Sequence, residues 1–234
     1  MKQHLFKVIS FLLVFMLAMT ALNGVIAFAD SVANTEDPVF ADVPSNAWYA
    51  KAVSWARDND VFQGTSETTF SPDAPMTRAM MVTVIYRMYG GFMSVDMEDE
   101  LPFTDINNTS YYYDALKWCY ALKIINGTSA TTFSPNNAIT REQVAAIMHR
   151  VAKTFDFGAG PDGPNYVVTP TGDLNRFPDA DEISNYAKED MLWCVENNLI
   201  SGTAKDGEVF LAPRTNTTRA QVAMILMRFE ENIN

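Results

Sequence analysis

Histidine and cysteine are scarce: the 234 residues hold two of each. His4 lies at the extreme N-terminus, so His149 is the single imidazole in the body of the chain. That excludes a Cys/His zinc site, which gathers about four such ligands, and leaves no Ser-His-Asp arrangement. Positive charge is short as well, with 17 Lys and Arg against 28 Asp and Glu and a net charge of −11. So acidic a chain has few groups with which to release counterions from phosphates, and nucleic acid is excluded as a partner. Loose adhesion to anionic lipid or acidic polymer is opposed for the same reason. An anionic ligand must therefore be held at a few local cationic sites.

Long apolar runs are limited to one, Val8 to Met19, broken only by Ser10. Lys2, His4 and Lys7 precede it and the small-x-small sequence Ala27-Phe28-Ala29 follows. This is the pattern of a secretory signal peptide over residues 1–29. An uncleaved anchor is the other reading, although the run is short for a span. Cleavage removes two lysines, takes the net charge to about −13, and leaves a secreted protein with no membrane contact.

What the chain does have is repetition. From Phe40 to Arg87 the sequence realigns on itself at a shift of 63 residues without a gap. Phe40, Asp42, Trp48, Trp55 and Gly64 fall on Phe103, Asp105, Tyr111, Trp118 and Gly127. Phe70-Ser71-Pro72, Thr77-Arg78 and Arg87 fall on Phe133-Ser134-Pro135, Thr140-Arg141 and Arg150. A third copy follows with small insertions: Phe177, Asp179, Tyr186, Trp193, Gly202, Phe210, Pro213, Thr218-Arg219 and Arg228. The copies cover 38–90, 101–153 and 175–232, and a Gly/Pro-rich linker occupies 154–174. Catching such a period first matters, because it decides the architecture.

Each copy predicts two helices. The first follows Pro44-Ser45-Asn46, with Trp48, Ala52, Val53, Trp55 and Ala56 at helical spacing. Gly64, Gly127 and Gly202 then end or turn the chain. The second begins at Thr-Arg and carries the stripes Met81/Val84/Ile85/Met88, Val144/Ile147/Met148/Val151 and Val222/Ile225/Leu226/Phe229. A helix–loop–helix of about fifty residues is too small to stand alone. The expectation is an all-α protein whose three helix–loop–helix repeats pack into a pseudo-threefold body with up to three equivalent surface sites.

The informative motif is the helix start: Thr77-Arg78-Ala79-Met80, Thr140-Arg141-Glu142-Gln143 and Thr218-Arg219-Ala220-Gln221. Thr with Gln three residues on is a capping box, which copy one half loses at Met80. Capping explains Thr77, Thr140 and Thr218 but not Arg78, Arg141 and Arg219. A cation at the first helical position opposes the helix dipole. Two readings are open: a guanidinium fork that grips a carboxylate or phosphate, or an ion pair to Asp42, Asp105 or Asp179. Trp48, Tyr111 and Tyr186 likewise read either as sugar-stacking faces or as helix packing, whereas Trp55, Trp118 and Trp193 read as core.

Taken together, Phe-x-Asp-Val, an early aromatic, a Gly-Thr turn, Phe-x-Pro and the Thr-Arg helix start resemble the S-layer homology family over essentially the whole mature chain. The resemblance implies a three-pronged helical spindle whose grooves bind secondary cell-wall polysaccharide bearing a pyruvate ketal. It implies contacts from Arg78, Arg141 and Arg219 together with Thr77, Thr140 and Thr218 of the same motif, from Trp48, Tyr111 and Tyr186, from Asp42, Asp105 and Asp179, and from Gly64, Gly127 and Gly202. Residues departing from the family pattern are Gln or Met where it has Glu, and Tyr at two of the three early aromatics. Non-covalent anchoring at the cell wall or S-layer follows, without enzyme activity, metal or cofactor. An adaptor binding other surface proteins is the alternative. No segment is left for a catalytic domain after the third copy, which points to a minimal wall-binding protein. Cys119 and Cys194 occupy one position in copies two and three and are either free buried thiols or a disulfide, which export permits. Export by this leader predicts that N-terminal sequencing of the secreted protein begins at Asp30; an intact Met1 on the mature form would refute it.

Overall fold

The computed structural model describes residues 40–90, 93–95, 100–155, 159–160, 163–164 and 172–233. The predicted leader, residues 96–99 of the acidic joint and most of the linker lie outside the described residues. Copy one supplies α1 (Ala50–Asp58) and α2 (Arg78–Tyr89), copy two α3 (Tyr113–Ala121) and α4 (Arg141–Phe155), and copy three α5 (Lys188–Glu196) and α6 (Arg219–Asn232). Strand is confined among the described residues to two short ribbons, β1 (Ala159–Gly160) with β2 (Gly163–Pro164), and β3 (Thr203–Lys205) with β4 (Glu208–Phe210).

The first helices begin later than the periodicity predicts. Trp48 and Tyr111 precede the N-caps Tyr49 and Tyr112, and Tyr186 lies in the 3-10 turn Asn185–Ala187 before α5. Outside the first helical turn these aromatics leave the packing stripe, and they are 61%, 68% and 54% exposed. Helix packing is therefore not their role. The helix ends are also placed differently. Asp60, Lys123 and Asn198 take left-handed φ of 58° in every case. Each lets the next N–H reach back to close the helix: Val61 to Ala56, Ile124 to Cys119 and Leu199 to Cys194, at 2.8, 2.9 and 2.8 Å. The recurrent glycine, four residues beyond, does something else. At Gly127 an added Cβ would meet Phe103 Cε1 and the Ser129 and Thr132 carbonyls at 2.5 Å, so any side chain is barred by close approach.

A second left-handed residue follows in each loop: Ser71, Ser134 and Ala212, at φ of 58°, 59° and 49°. An aspartate holds each one. Asp42 accepts the Phe70 and Ser71 N–H at 2.7 Å, Asp105 those of Phe133 and Ser134 at 2.8 and 2.7 Å, and Asp179 those of Leu211 and Ala212 at 2.9 and 2.6 Å. Copy three thereby corrects the sequence alignment: fully buried Leu211, not Phe210, stands where Phe70 and Phe133 stand. The extra length forms the β3–β4 hairpin, whose Asp206-Gly207 turn has φ of 54° and 84°, as a two-residue turn with both central residues left-handed requires.

The second helices are buried on most of their circumference, which places them inside the body. Their closest helix partners belong to the next copy. Helix α2 packs on α3, α4 on α5, and α6 back on α1. The loops before them join in the same order: Ile139 N–H donates to Met76 O, Thr217 N–H to Ile139 O, and Met76 N–H to Thr217 O, all at 2.8 Å. Cys119 and Cys194 sit in these seams as free buried thiols, with Sγ 3.8 Å from Val82 O and 3.7 Å from Ala145 O. Burial pushes the pKa of both thiols up.

Two predictions follow from these loops. Thr217 is fully buried, yet among the described residues its hydroxyl has no hydrogen-bond partner, where the equivalent positions hold Met76 and Ile139. Thr217→Val keeps the shape and removes the orphaned hydroxyl, and should stabilise by about 1–2 kcal/mol in denaturant unfolding; an unchanged midpoint would show the hydroxyl satisfied. Asp105 works against burial, which raises its pKa, but the N–H donors of Phe133 and Ser134 and the charge of Arg78 outweigh it and hold the carboxyl below the usual range. Its stabilisation is present above the unfolded carboxylate value and lost as pH falls through the lowered folded one. Asp105→Asn should therefore lower stability at neutral pH and flatten the loss below about pH 4, read from unfolding midpoints across pH 2–7.

Candidate functional site

The repeated arginines are buried, with exposures of 5%, 7% and 5% at Arg78, Arg141 and Arg219. Their position explains why they start helices. Each helix N-terminus abuts the loop of the next copy, so a side chain at that position reaches across the seam. Arg78 donates from Nε to Phe133 O at 2.8 Å and from Nη2 to Asn126 O at 2.6 Å, with its guanidinium 4.7 Å from the Phe133 ring. Arg219 repeats this on copy one, to Phe70 O at 2.8 Å and Gln63 O at 2.9 Å, over the Phe70 ring at 4.6 Å. Arg141 makes one such bond, Nε to Leu211 O at 2.7 Å, and Leu211 gives it no aromatic face. Burial lowers the pKa of all three, and Asp105, Asp179 and Asp42 respectively are among the groups offsetting this for Arg78, Arg141 and Arg219. Among the described residues, however, no direct ion pair joins them to those aspartates. A guanidinium has five N–H donors, so each fork keeps donors beyond those spent on carbonyls.

Those forks open into grooves. One, of about 430 Å³, is lined by Arg78, the loop Ile125–Thr128, the α4 residues Gln143, Ala146, Ile147 and Arg150, and Tyr186. The other, of about 460 Å³, is lined by Arg141, the stretch Leu199–Ala204, the α6 residues Gln221, Met224, Ile225 and Arg228, and Trp48. The two linings correspond position by position. Each takes its buried arginine from one copy, its loop and helix wall from the next, and its aromatic from the remaining copy. The equivalent residues of the remaining seam influence one another: Arg219 and Arg87 both act on Tyr111, and Arg87 opposes the charge on Arg219.

The capping threonines stand behind these walls. Thr77 accepts the Met80 N–H at 3.2 Å. Thr140 and Thr218 form reciprocal boxes with Gln143 and Gln221, so the Gln side chains that line the grooves are fixed by the caps. Gly127 and Gly202 line a groove each. Asp105 and Asp179 line neither; both their carboxylate oxygens hold the loop behind it. The sequence reading missed Arg87, Arg150 and Arg228. They recur nine residues after the first arginine, and that repetition was the available signal. Their second role is to bond Val61, Ile124 and Leu199 carbonyls at 3.2, 3.5 and 3.4 Å.

His149 is buried against Asp190 at 2.7 Å and stacks on Trp193 at a centroid distance of 4.6 Å, packing α4 on α5 away from the groove linings. Among the described residues no group of three or more His, Cys, Asp or Glu is placed to hold a metal. No helix among them is long and apolar enough to cross a membrane.

The family model of the S-layer homology domain matches residues 39–80, 102–145 and 176–223. The chain is 29% identical over 187 residues to the surface-layer 125 kDa protein of Lysinibacillus sphaericus, a match covering 80% of this chain and 14% of that protein. It is 29% identical over 187 residues to an endoglucanase of Bacillus sp. strain KSM-635, again 80% of this chain and 18% of the enzyme. With the cellulosome-anchoring protein of Acetivibrio thermocellus it shares 26% identity over 125 residues, 52% of this chain and 27% of that protein. The chain thus spans less than a third of the length of each of these relatives. Matched by the model in all three copies, over more than half of its length, it belongs to the S-layer homology domain family.

Proposed function

We propose that this chain is a non-catalytic module that attaches non-covalently to the bacterial cell wall by binding secondary cell-wall polysaccharide in its inter-repeat grooves. The observation that carries the reading is the matched pair of grooves, each with two arginines and an exposed aromatic, on a chain of net charge −11. The cyclic seams fit a pseudo-threefold spindle that displays such grooves around its flank. An acidic background deters loose polyanion binding, so two arginines converging at one place select a compact anion. A pyruvate ketal offers a single carboxylate of the size a guanidinium fork grips. An exposed indole or phenol beside it supplies a flat apolar face for a sugar ring. Two of the relatives are named as a surface-layer protein and a cellulosome-anchoring protein, which supports a role at the cell surface. A secreted, wall-bound location follows from the same reading.

Calorimetry against pyruvylated wall polysaccharide tests it. Among the described residues Arg228 is tied only by long hydrogen bonds, to Leu199 O at 3.4 Å and Ser201 Oγ at 3.5 Å, so Arg228→Ala should fold and should weaken its groove by about one to two orders of magnitude, as a charged hydrogen bond contributes roughly 1.5–3 kcal/mol. Arg141→Lys keeps the charge but not the fork and should lose nearly as much. Retention on whole wall should fall less, because several grooves on one body engage one polymer layer. A folded Arg87/Arg150/Arg228 triple alanine variant that binds as tightly as the parent would place the site elsewhere. Retention on protein-coated but not on stripped wall would point instead to a protein-binding adaptor.

A further inference from the structure

The two grooves differ at one feature that no copy repeats. Copy two carries Glu142 at the third position of its helix start, where copies one and three have Ala79 and Ala220. Glu142 is only 6% exposed. Its carboxylate accepts the Ser184 N–H at 3.0 Å, the Ser184 hydroxyl at 2.9 Å and the Tyr186 hydroxyl at 3.3 Å. Among the described residues no lysine or arginine forms an ion pair with it. A buried, unneutralised carboxylate thus stands directly behind the aromatic of the Arg78 groove.

This fixes the hydrogen-bond sense of that aromatic. A phenol has one proton to give, and Tyr186 gives it to Glu142, so toward the groove its oxygen is an acceptor only. Trp48 at the same position of the Arg141 groove is braced edge-on by Tyr49 at a centroid distance of 5.2 Å, and an indole N–H is a donor only. The arginines differ in the same direction. Arg78 spends two donors on carbonyls and lies on the Phe133 ring, whereas Arg141 spends one. Burial and the Glu142 charge and hydrogen bond push the Tyr186 pKa up to about 12, so the phenol stays protonated and the clamp closed at any physiological pH.

We propose that Glu142 makes Tyr186 a fixed acceptor that turns the Arg78 groove toward an uncharged sugar unit with a hydroxyl or acetamido N–H to donate, leaving the carboxylate-bearing unit to the Trp48 groove. The proposal rests on the wall-polysaccharide reading and divides that ligand between two sites. Two grooves reading successive units of different charge discriminate a polymer by its order as well as by its content.

The test is nuclear magnetic resonance titration of the full mature chain, observing the Trp48 indole N–H and labelled tyrosine rings. The probes are N-acetylmannosamine methyl glycoside with and without a pyruvate ketal. In the parent, the acidic probe should move Trp48 at lower concentration than Tyr186, and the uncharged probe should move Tyr186 first. Glu142→Gln preserves shape and the bond from the Ser184 N–H, removes the charge, and turns an amide donor toward the Ser184 and Tyr186 hydroxyl oxygens, freeing the phenol proton for the groove. It should tighten the acidic probe at Tyr186 by about three- to tenfold, leave Trp48 unchanged, and lower the ionisation point of Tyr186. A response at Trp48 with no gain at Tyr186, or an unmoved Tyr186 ionisation, overturns this assignment alone. Silence of both aromatics to both probes in parent and variant overturns the wall-polysaccharide reading and this one with it.

Discussion

Three backbone hydrogen bonds, from Ile139 to Met76, from Thr217 to Ile139 and from Met76 to Thr217, close the copies into a ring, and much else depends on them. They set the register in which each helix start meets the following loop. Further bonds, such as Arg78 N–H to Asn137 O and Arg219 N–H to Ala74 O at 3.0 and 2.9 Å, satisfy first-turn donors that a helix leaves open. Because the partners lie in other copies, a single copy would expose those donors and half of its helix surface together. Instability of the unit and fixity of the assembly have one cause.

The same geometry resolves why arginine occupies a helix start, where its charge is unfavourable. The sequence left open a grip on an anion or an ion pair to an aspartate, and among the described residues no direct ion pair joins these arginines to those aspartates. Nε, and Nη2 in Arg78 and Arg219, hold carbonyls of the neighbouring loop, and Arg78 and Arg141 also line a groove each. Lysine has the charge but no such fork. Holding a cation at 5% exposure costs desolvation, and the carbonyls, the Phe rings and the nearby aspartates offset it. The outcome is an electropositive point that is rigid before any ligand arrives, which reduces the ordering cost of binding.

Much of this was legible in the sequence because repetition filters noise: a residue type kept three times at one offset has a reason that a single copy cannot reveal. The helices, the capping boxes at Thr140 and Thr218, and the core roles of Trp118 and Trp193 were read in that way. What escaped is the loop geometry inside each copy and, for the arginines, contacts between copies, neither of which helical periodicity encodes. The aspartates looked like sugar acceptors, but their oxygens face loop N–H groups. The glycines looked like helix stops, but Asp60, Lys123 and Asn198 take the left-handed role, which non-glycine residues fill rarely enough for sequence reasoning to pass over. The alignment of Phe210 failed because the β3–β4 hairpin inserts before the conserved aspartate contact, and hydrogen bonding to Asp179 rather than residue type identifies Leu211 as the equivalent. Arg87, Arg150 and Arg228 were visible in the repeat, but Arg150 and Arg228 gained meaning only when each stood in a groove with the arginine of another copy.

The departures from repetition are as informative as the repetition. An exact threefold would give three identical grooves, and selection on a uniform ligand would preserve them. Here the wall residue is Ala146 in one groove and Met224 in the other, the aromatic is Tyr186 or Trp48, and only copy two carries Glu142. Core substitutions between copies, such as Ala56 against Cys119 and Cys194, conserve small apolar volume and leave packing unchanged. Those at the grooves instead alter donor count, charge and width.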